Sequence, residues 1–210
     1  MKATISKESI TKALSLTGGI VEKKQTLPIL SNILIEFKDN SFKLVATDLE
    51  SELTIIGETD SCETEGTTTA SAKKLNDLCR LIPDKSNIEL NLSGDKLNIS
   101  TKNGKYSLAT LPSNEFPIFE SGDNLNNITL KSHDLKTLIN STSFAMGNQD
   151  WRHYLNGLFL KLEEGVLTAV ATDAHRLALN CLDSDSDINF SGIIPRKSVN
   201  EINRFIGEDN

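Results

Sequence analysis

Long apolar runs are missing from this chain. No stretch approaches the ~18 residues needed to span a bilayer, and Met1-Lys2-Ala3-Thr4 opens no signal peptide. Aromatic residues are scarce, at 5%, so aliphatic side chains must build most of any core. Cys62, Cys79 and Cys181 are odd in number and far apart. No Cys-x-x-Cys or Cys/His spacing suggests zinc, and reduced thiols of this kind point to the cytoplasm. No Gly-rich, phosphate-cradling motif occurs. Positive charge is also in deficit: the net charge is −7, which alone argues against a nucleic-acid binder. The 210 residues that remain, 38% hydrophobic and 24% charged, suit an ordinary globular protein of one large or two ordinary domains.

The sequence does contain an internal repeat. Val45-Ala46-Thr47-Asp48 recurs 125 residues later as Val170-Ala171-Thr172-Asp173. The approaches match too, Leu30 to Phe37 with Leu155 to Leu162, each leading through a turn. A period this long marks a duplicated domain rather than a solenoid unit. The copies diverge afterwards: Asp48 is followed by Leu49-Glu50-Ser51, but Asp173 by Ala174-His175-Arg176-Leu177. The second copy has the composition of a contact surface.

Taken in order, the first domain predicts strand, helix and three strands, then the same again. Lys2–Ile5 is a strand, and Ser6 caps a helix with Ile10, Ala13 and Leu14 on one face. Alternating runs follow at Asn32–Phe37, Ser41–Thr47 and Ser51–Gly57. Thr67–Ala70 restarts the pattern, Ser71 caps a helix carrying Leu75, Leu78, Cys79 and Ile82, and hairpins run through 87–92, 96–100 and 105–108. The class is α+β. Domain 1 is expected over 1–120, a linker over 121–126 and domain 2 over 127–210. Domain 2 restarts at Asn127–Leu130, has a helix at 132–141, and has a second helix at 196–206 matching the one at 72–82. The hairpins that follow the first domain's second helix have no counterpart in the second domain, so a longer protein is expected.

Mapping the charge revises its meaning. The predicted helices, with Lys131 counted at the head of the third, hold ten basic residues against four acids, so the rest of the chain carries −13. At about 100° per residue, Lys73 and Arg80 lie opposite the Leu75/Leu78/Ile82 face, and Lys197 and Arg204 repeat the arrangement. Such faces could line a surface for a phosphate backbone; solvated lysines that favour the helix are the plainer alternative.

Candidate chemistry is thin. Asp173 and His175 are expected to alternate on a strand and share a face, but no Ser or Cys nucleophile motif accompanies them. His133 and His153 lack ligand spacing, so no metal is expected. Arg176 beside Leu177 and Leu155 suits a peptide with apolar and acidic groups. Trp151 and Tyr154 flanking Arg152 could stack on nucleic acid or anchor their loop onto the core, and spacing alone favours anchoring.

Several segments, in order and correctly spaced, resemble the bacterial sliding clamp family, the β subunit of DNA polymerase III. They are Thr26-Leu-Pro-Ile-Leu-Ser-Asn32, Ala46-Thr-Asp-Leu-Glu50, Leu111-Pro-Ser-Asn-Glu-Phe-Pro117, Arg152-His-Tyr-Leu-Asn-Gly157, Ala171-Thr-Asp-Ala-His-Arg-Leu177 and Ile194-Pro-Arg-Lys197. The resemblance implies duplicated clamp domains with antiparallel sheets outside and helices on an inner face. Three such domains per chain would pair head-to-tail into a homodimeric ring around double-stranded DNA, this chain supplying the first and part of the second. It implies a non-catalytic processivity factor without a cofactor. The implied partners are the polymerase III catalytic subunit, the clamp loader and other proteins with a clamp-binding motif. Carried over by position, Lys24, Gln149, Arg152 and Tyr154 would join Lys73, Arg80, Lys197 and Arg204 in contacting DNA. Leu155, Thr172, Ala174, His175, Arg176 and Leu177 would line a pocket for partner peptides. Ala174 stands where the family usually has glycine, and His153 where tyrosine is common. A shortened clamp relative acting as a peptide-binding adaptor or decoy is the alternative.

Overall fold

The computed structural model describes residues 1–21, 27–119 and 127–206. The expected linker at 121–126 and Lys24 lie outside them. The chain divides into two compact units, Met1–Glu120 and Ser121–Asn210.

The first unit comprises β1 (Lys2–Ser6), α1 (Lys7–Thr17), β2 (Asn32–Lys38), β3 (Ser41–Thr47), β4 (Glu52–Glu58), β5 (Ser61–Thr64), β6 (Gly66–Ser71), α2 (Ala72–Leu81), β7 (Asn87–Ser93), β8 (Lys96–Ser100) and β9 (Lys105–Leu111). The strands form one antiparallel sheet in the order β4-β3-β2-β6-β9-β8-β7-β1-β5. Both helices start where the sequence supplies a cap. The Ser6 hydroxyl accepts from Ser9 N at 3.2 Å and the Ser71 hydroxyl from Lys74 N at 3.4 Å, each satisfying an amide that the first helical turn leaves unpaired. The short β5 is not evident from residue patterning; it exists because β1 offers it a free edge.

One core joins both halves of this sheet to both helices. Ile10, Ala13 and Leu14 of α1 and Leu75 and Cys79 of α2 meet Ile33, Ile35, Phe37 and Leu44 on one side and Ile88, Leu90, Leu97 and Ile99 on the other. At a few kcal/mol per fully buried aliphatic side chain, this cluster is the unit's main source of stability. The opposite face of β2 and β3 is also covered: Leu34 and Val45 pack with Ile29, Leu30 and Phe116.

The second unit comprises α3 (Ser132–Asn140), β10 (Gly157–Glu163), β11 (Val166–Thr172), β12 (Leu177–Asp183), β13 (Phe190–Pro195) and α4 (Arg196–Phe205). Its antiparallel sheet has the order β12-β11-β10-β13. Leu138, Ile139 and Val199 of the helices bury against Leu158, Leu162, Leu167, Ala169 and Ala171. Asn203 Nδ2 donates to Asn140 Oδ1 at 2.9 Å, tying α4 to α3.

The units differ at two places. Residues 127–131, the counterpart of β1, form no strand. β1 is held between β5 and β7, whereas no described strand of the second unit pairs with 127–131. An extended segment without a ladder partner is not a strand. A cavity of 160 Å³ lined by Ile128, Leu130, Leu135, Phe190, Val199 and Ile202, among others, opens beside it. On the other sheet face, Leu179, Val170, Phe159 and Ile193 form one cross-strand row. Phe159 and Val170 correspond to the covered Leu34 and Val45, yet this row ends in exposed Leu179 and Ile193.

Candidate functional site: a Thr-Asp turn, its neighbouring loop and two basic helices

β11 and β12 are joined by a turn whose geometry is written in Thr172 and Asp173. The Thr172 hydroxyl donates to the Arg176 carbonyl at 2.7 Å and accepts from Ala174 N at 3.1 Å. Asp173 Oδ1 accepts from His175 N and Arg176 N, both at 3.0 Å, and Oδ2 from Arg176 Nε at 2.9 Å. These backbone donors, led by His175 N, hold the Asp173 carboxyl below its usual range. The expected strand alternation of Asp173 with His175 is therefore wrong. Residues 173–176 form a turn, and the carboxylate is engaged with backbone and Arg176.

The first unit builds the same turn. Thr47 Oγ1 donates to Ser51 O at 3.0 Å and accepts from Leu49 N at 3.1 Å, and Asp48 Oδ1 accepts from Glu50 N and Ser51 N at 3.1 and 2.8 Å. The third residue is left-handed in both, with φ 74° at Leu49 and 72° at Ala174. Glycine adopts this conformation without steric cost, which gives the usual family residue at Ala174 a backbone reason. In the second unit the turn displays His175, Arg176 and Leu177, the last 64% exposed and paired in register with Thr172.

Residues 147–156 form the adjoining loop. Gly147 N donates to Leu155 O at 2.8 Å, and a Cβ on Gly147 would lie 3.0 Å from that oxygen. Asn156 bridges the loop, accepting from Asp150 N at 2.9 Å and donating to Asp150 O at 2.7 Å. Arg196, at the start of α4, donates to Met146 O at 2.8 Å and Gly147 O at 3.2 Å. Arg152 is clasped by Asp150 through Nε to Oδ1 at 3.0 Å and Nη2 to Oδ2 at 2.9 Å. That pairing, with the Arg152 amide on the same carboxylate, lowers the Asp150 pKa to about 2; His175 lies close enough to contribute a smaller share.

Two expectations change here. Trp151 and Tyr154 do not anchor the loop: they are 82% and 63% exposed, with Arg152 5.7 Å from the centre of the Trp151 ring. Anchoring falls to Asn156, Arg196 and Leu155, and Leu155 is buried rather than displayed. Gln149 sits at φ 56° in the exposed part of the loop. Sequence reasoning passed over Asp150, Asn156 and Phe144. The Asp-x-Arg spacing of 150 and 152 was the one available signal for the first.

On the helices, Lys73 and Arg80 are exposed on α2, opposite buried Leu75 and Cys79. On α4, Lys197 is half-buried, and Arg204 pairs with Glu201 at 2.5 Å and lies over the Phe205 ring at 5.3 Å. Ile82 is buried but caps α2 rather than belonging to it. Lys131, counted above with the helices, is the N-cap of α3.

Comparison with known proteins adds independent findings. The DNA polymerase III beta subunit N-terminal domain matches residues 1–120, and the central domain of the same subunit matches 129–210. The beta sliding clamp of Pseudomonas aeruginosa is 39% identical over 99% of this chain, and that of Salmonella typhimurium 36% over 98%. The crystal structure of the Pseudomonas aeruginosa subunit superposes with a TM-score of 0.93 at 38% identity, covering 99% of this chain. A second structure of that clamp, bound to griselimycin, gives 0.92 at 38%. The Caulobacter crescentus clamp gives 0.93 at 34%. The chain spans 57% of the length of both curated relatives. With two successive domain matches over nearly all its residues, the chain belongs to the bacterial DNA polymerase III beta subunit family, the beta sliding clamps.

Proposed function

We propose that this chain forms part of a cytoplasmic, non-catalytic processivity clamp, which encircles duplex DNA as a homodimeric ring and tethers the replicative polymerase and other partners. The observation that carries this reading is the duplicated Thr-Asp turn. In both units the aspartate holds a turn, and the second unit alone adds His175, Arg176 and Leu177 to it. A carboxylate committed to backbone amides is poorly placed to activate His175, which favours display over catalysis. Leu177 and Arg176 offer an apolar and a cationic contact to a partner peptide. Gln149, Arg152 and Tyr154, with Lys73, Arg80, Lys197 and Arg204, are the proposed DNA contacts, of the sequence-independent, phosphate-directed kind.

Ring pairing finds support in the first unit. Among the described residues, Lys105–Ala109 of β9 pairs only with β8. Beside it, exposed Leu81 and Tyr106 flank a groove of 340 Å³ with Lys74, Asp77, Leu78 and Leu108. An open strand edge next to an apolar groove suits a second copy.

The test is topological. Protein expressed from the complete gene and loaded onto circular duplex DNA should be retained, then lost when the circle is linearised. Equal retention on both forms would refute the reading.

A further inference from the structure

Phe144 is a large aromatic displayed on a rigid mount. It lies in a one-turn 3-10 helix, Ser143–Ala145. Thr142 and Ala145 beside it are fully buried and Met146 nearly so, whereas Phe144 is 57% exposed. The Arg176 guanidinium lies 5.7 Å from the centre of its ring. Arg176 is thus restrained from two directions, by the Asp173 carboxylate through Nε and by the Phe144 ring.

The internal repeat places both members of this pair in the second unit alone. Thr17 and Thr142, 125 residues apart, are both buried at the C-terminal end of a helix, and both hydroxyls donate to carbonyls of that helix, Thr17 to Leu14 at 2.9 Å and Thr142 to Leu138 at 2.8 Å. On the same offset Phe144 stands where the first unit has Gly19, and Arg176 where it has Ser51. The unit without the elaborated turn lacks both members.

We propose that Phe144 is a positioning residue of the partner surface, holding the Arg176 guanidinium against Asp173 so that it meets an acidic group of the incoming peptide already oriented. This rests on the reading of the 172–177 turn as a partner site. A ring face attracts a cation and removes rotamer freedom that a long side chain otherwise loses on binding.

The test uses protein expressed from the complete gene and a fluorescein-labelled peptide combining leucine, phenylalanine and aspartate. Phe144→Ala should weaken binding about two- to fivefold, and Phe144→Tyr should restore it. The loss should vanish when Arg176 is already alanine, with the melting temperature of each variant unchanged. Phe144→Leu, which keeps apolar bulk without a ring, should behave as the alanine variant. If Arg176→Ala weakens binding and Phe144→Ala does not, positioning is refuted and the partner site stands. An equal loss from Phe144→Ala with or without Arg176 would mean that the ring touches the peptide itself, again refuting positioning. An Arg176→Ala variant that binds normally would remove the site and the proposal together.

Discussion

Ala174 shows how much one backbone angle decides. Its φ of 72° places an L side chain in a region that costs roughly 1–2 kcal/mol. The turn imposes it, since Thr172 and Asp173 together take the amides of Ala174, His175 and Arg176. Replacing Ala174 with glycine removes that strain and returns part of the gain as unfolded-chain entropy. Ala174→Gly should therefore stabilise the second unit by about 0.5–1 kcal/mol, read from the midpoint of urea denaturation at unchanged slope. Loss of stability would mean that the methyl packs usefully. Sequence showed that Ala174 departs from the family, but not why glycine is usual there, because φ is a property of the hydrogen-bonded turn. The same limit hid the role of Asp173, whose Oδ1 takes two backbone amides that carry no sequence signal.

Elements were more legible. Alternation gave β3 and β8 with their observed bounds and the other strands of the first unit, β5 excepted, within a few residues, because a sheet with one buried face forces a period of two. Patterning did not reveal where the two halves of the first sheet join. β6 and β9 share only two paired positions, Thr69 with Leu111 and Ala70 with Thr110. The buried Thr69 hydroxyl reinforces that join, donating to Leu111 O at 2.8 Å and accepting from Leu111 N at 3.2 Å and Asn32 Nδ2 at 3.0 Å. Thr69→Val keeps the shape and strands these groups, so it should cost about 1–3 kcal/mol. Hydrogen exchange should quicken first at β6 and β9; unchanged protection there would show the hydroxyl to be dispensable.

For the whole molecule, electrostatics sets the expectation. A chain of net charge −7 can face DNA only through local basic surfaces. Removing one cation that neutralises a phosphate should flatten the dependence of log K on log salt by about 0.9. Arg80→Ala should show that change on duplex DNA. Arg204→Ala should show less, because Glu201 already balances it at 2.5 Å; equal slopes would mean that this ion pair opens on binding. By itself the sequence determined the α+β class, the duplication at 125 residues, the capped helices of the first unit and the basic helix faces. Each of these follows from local periodicity or self-similarity along the chain. Only the tertiary structure decided that 173–176 is a turn, that Trp151 and Tyr154 face solvent while Leu155 is buried, and that Phe144 meets Arg176. Those facts depend on residues 32 apart, or on backbone groups common to every residue, meeting in space, and no local pattern records such a meeting.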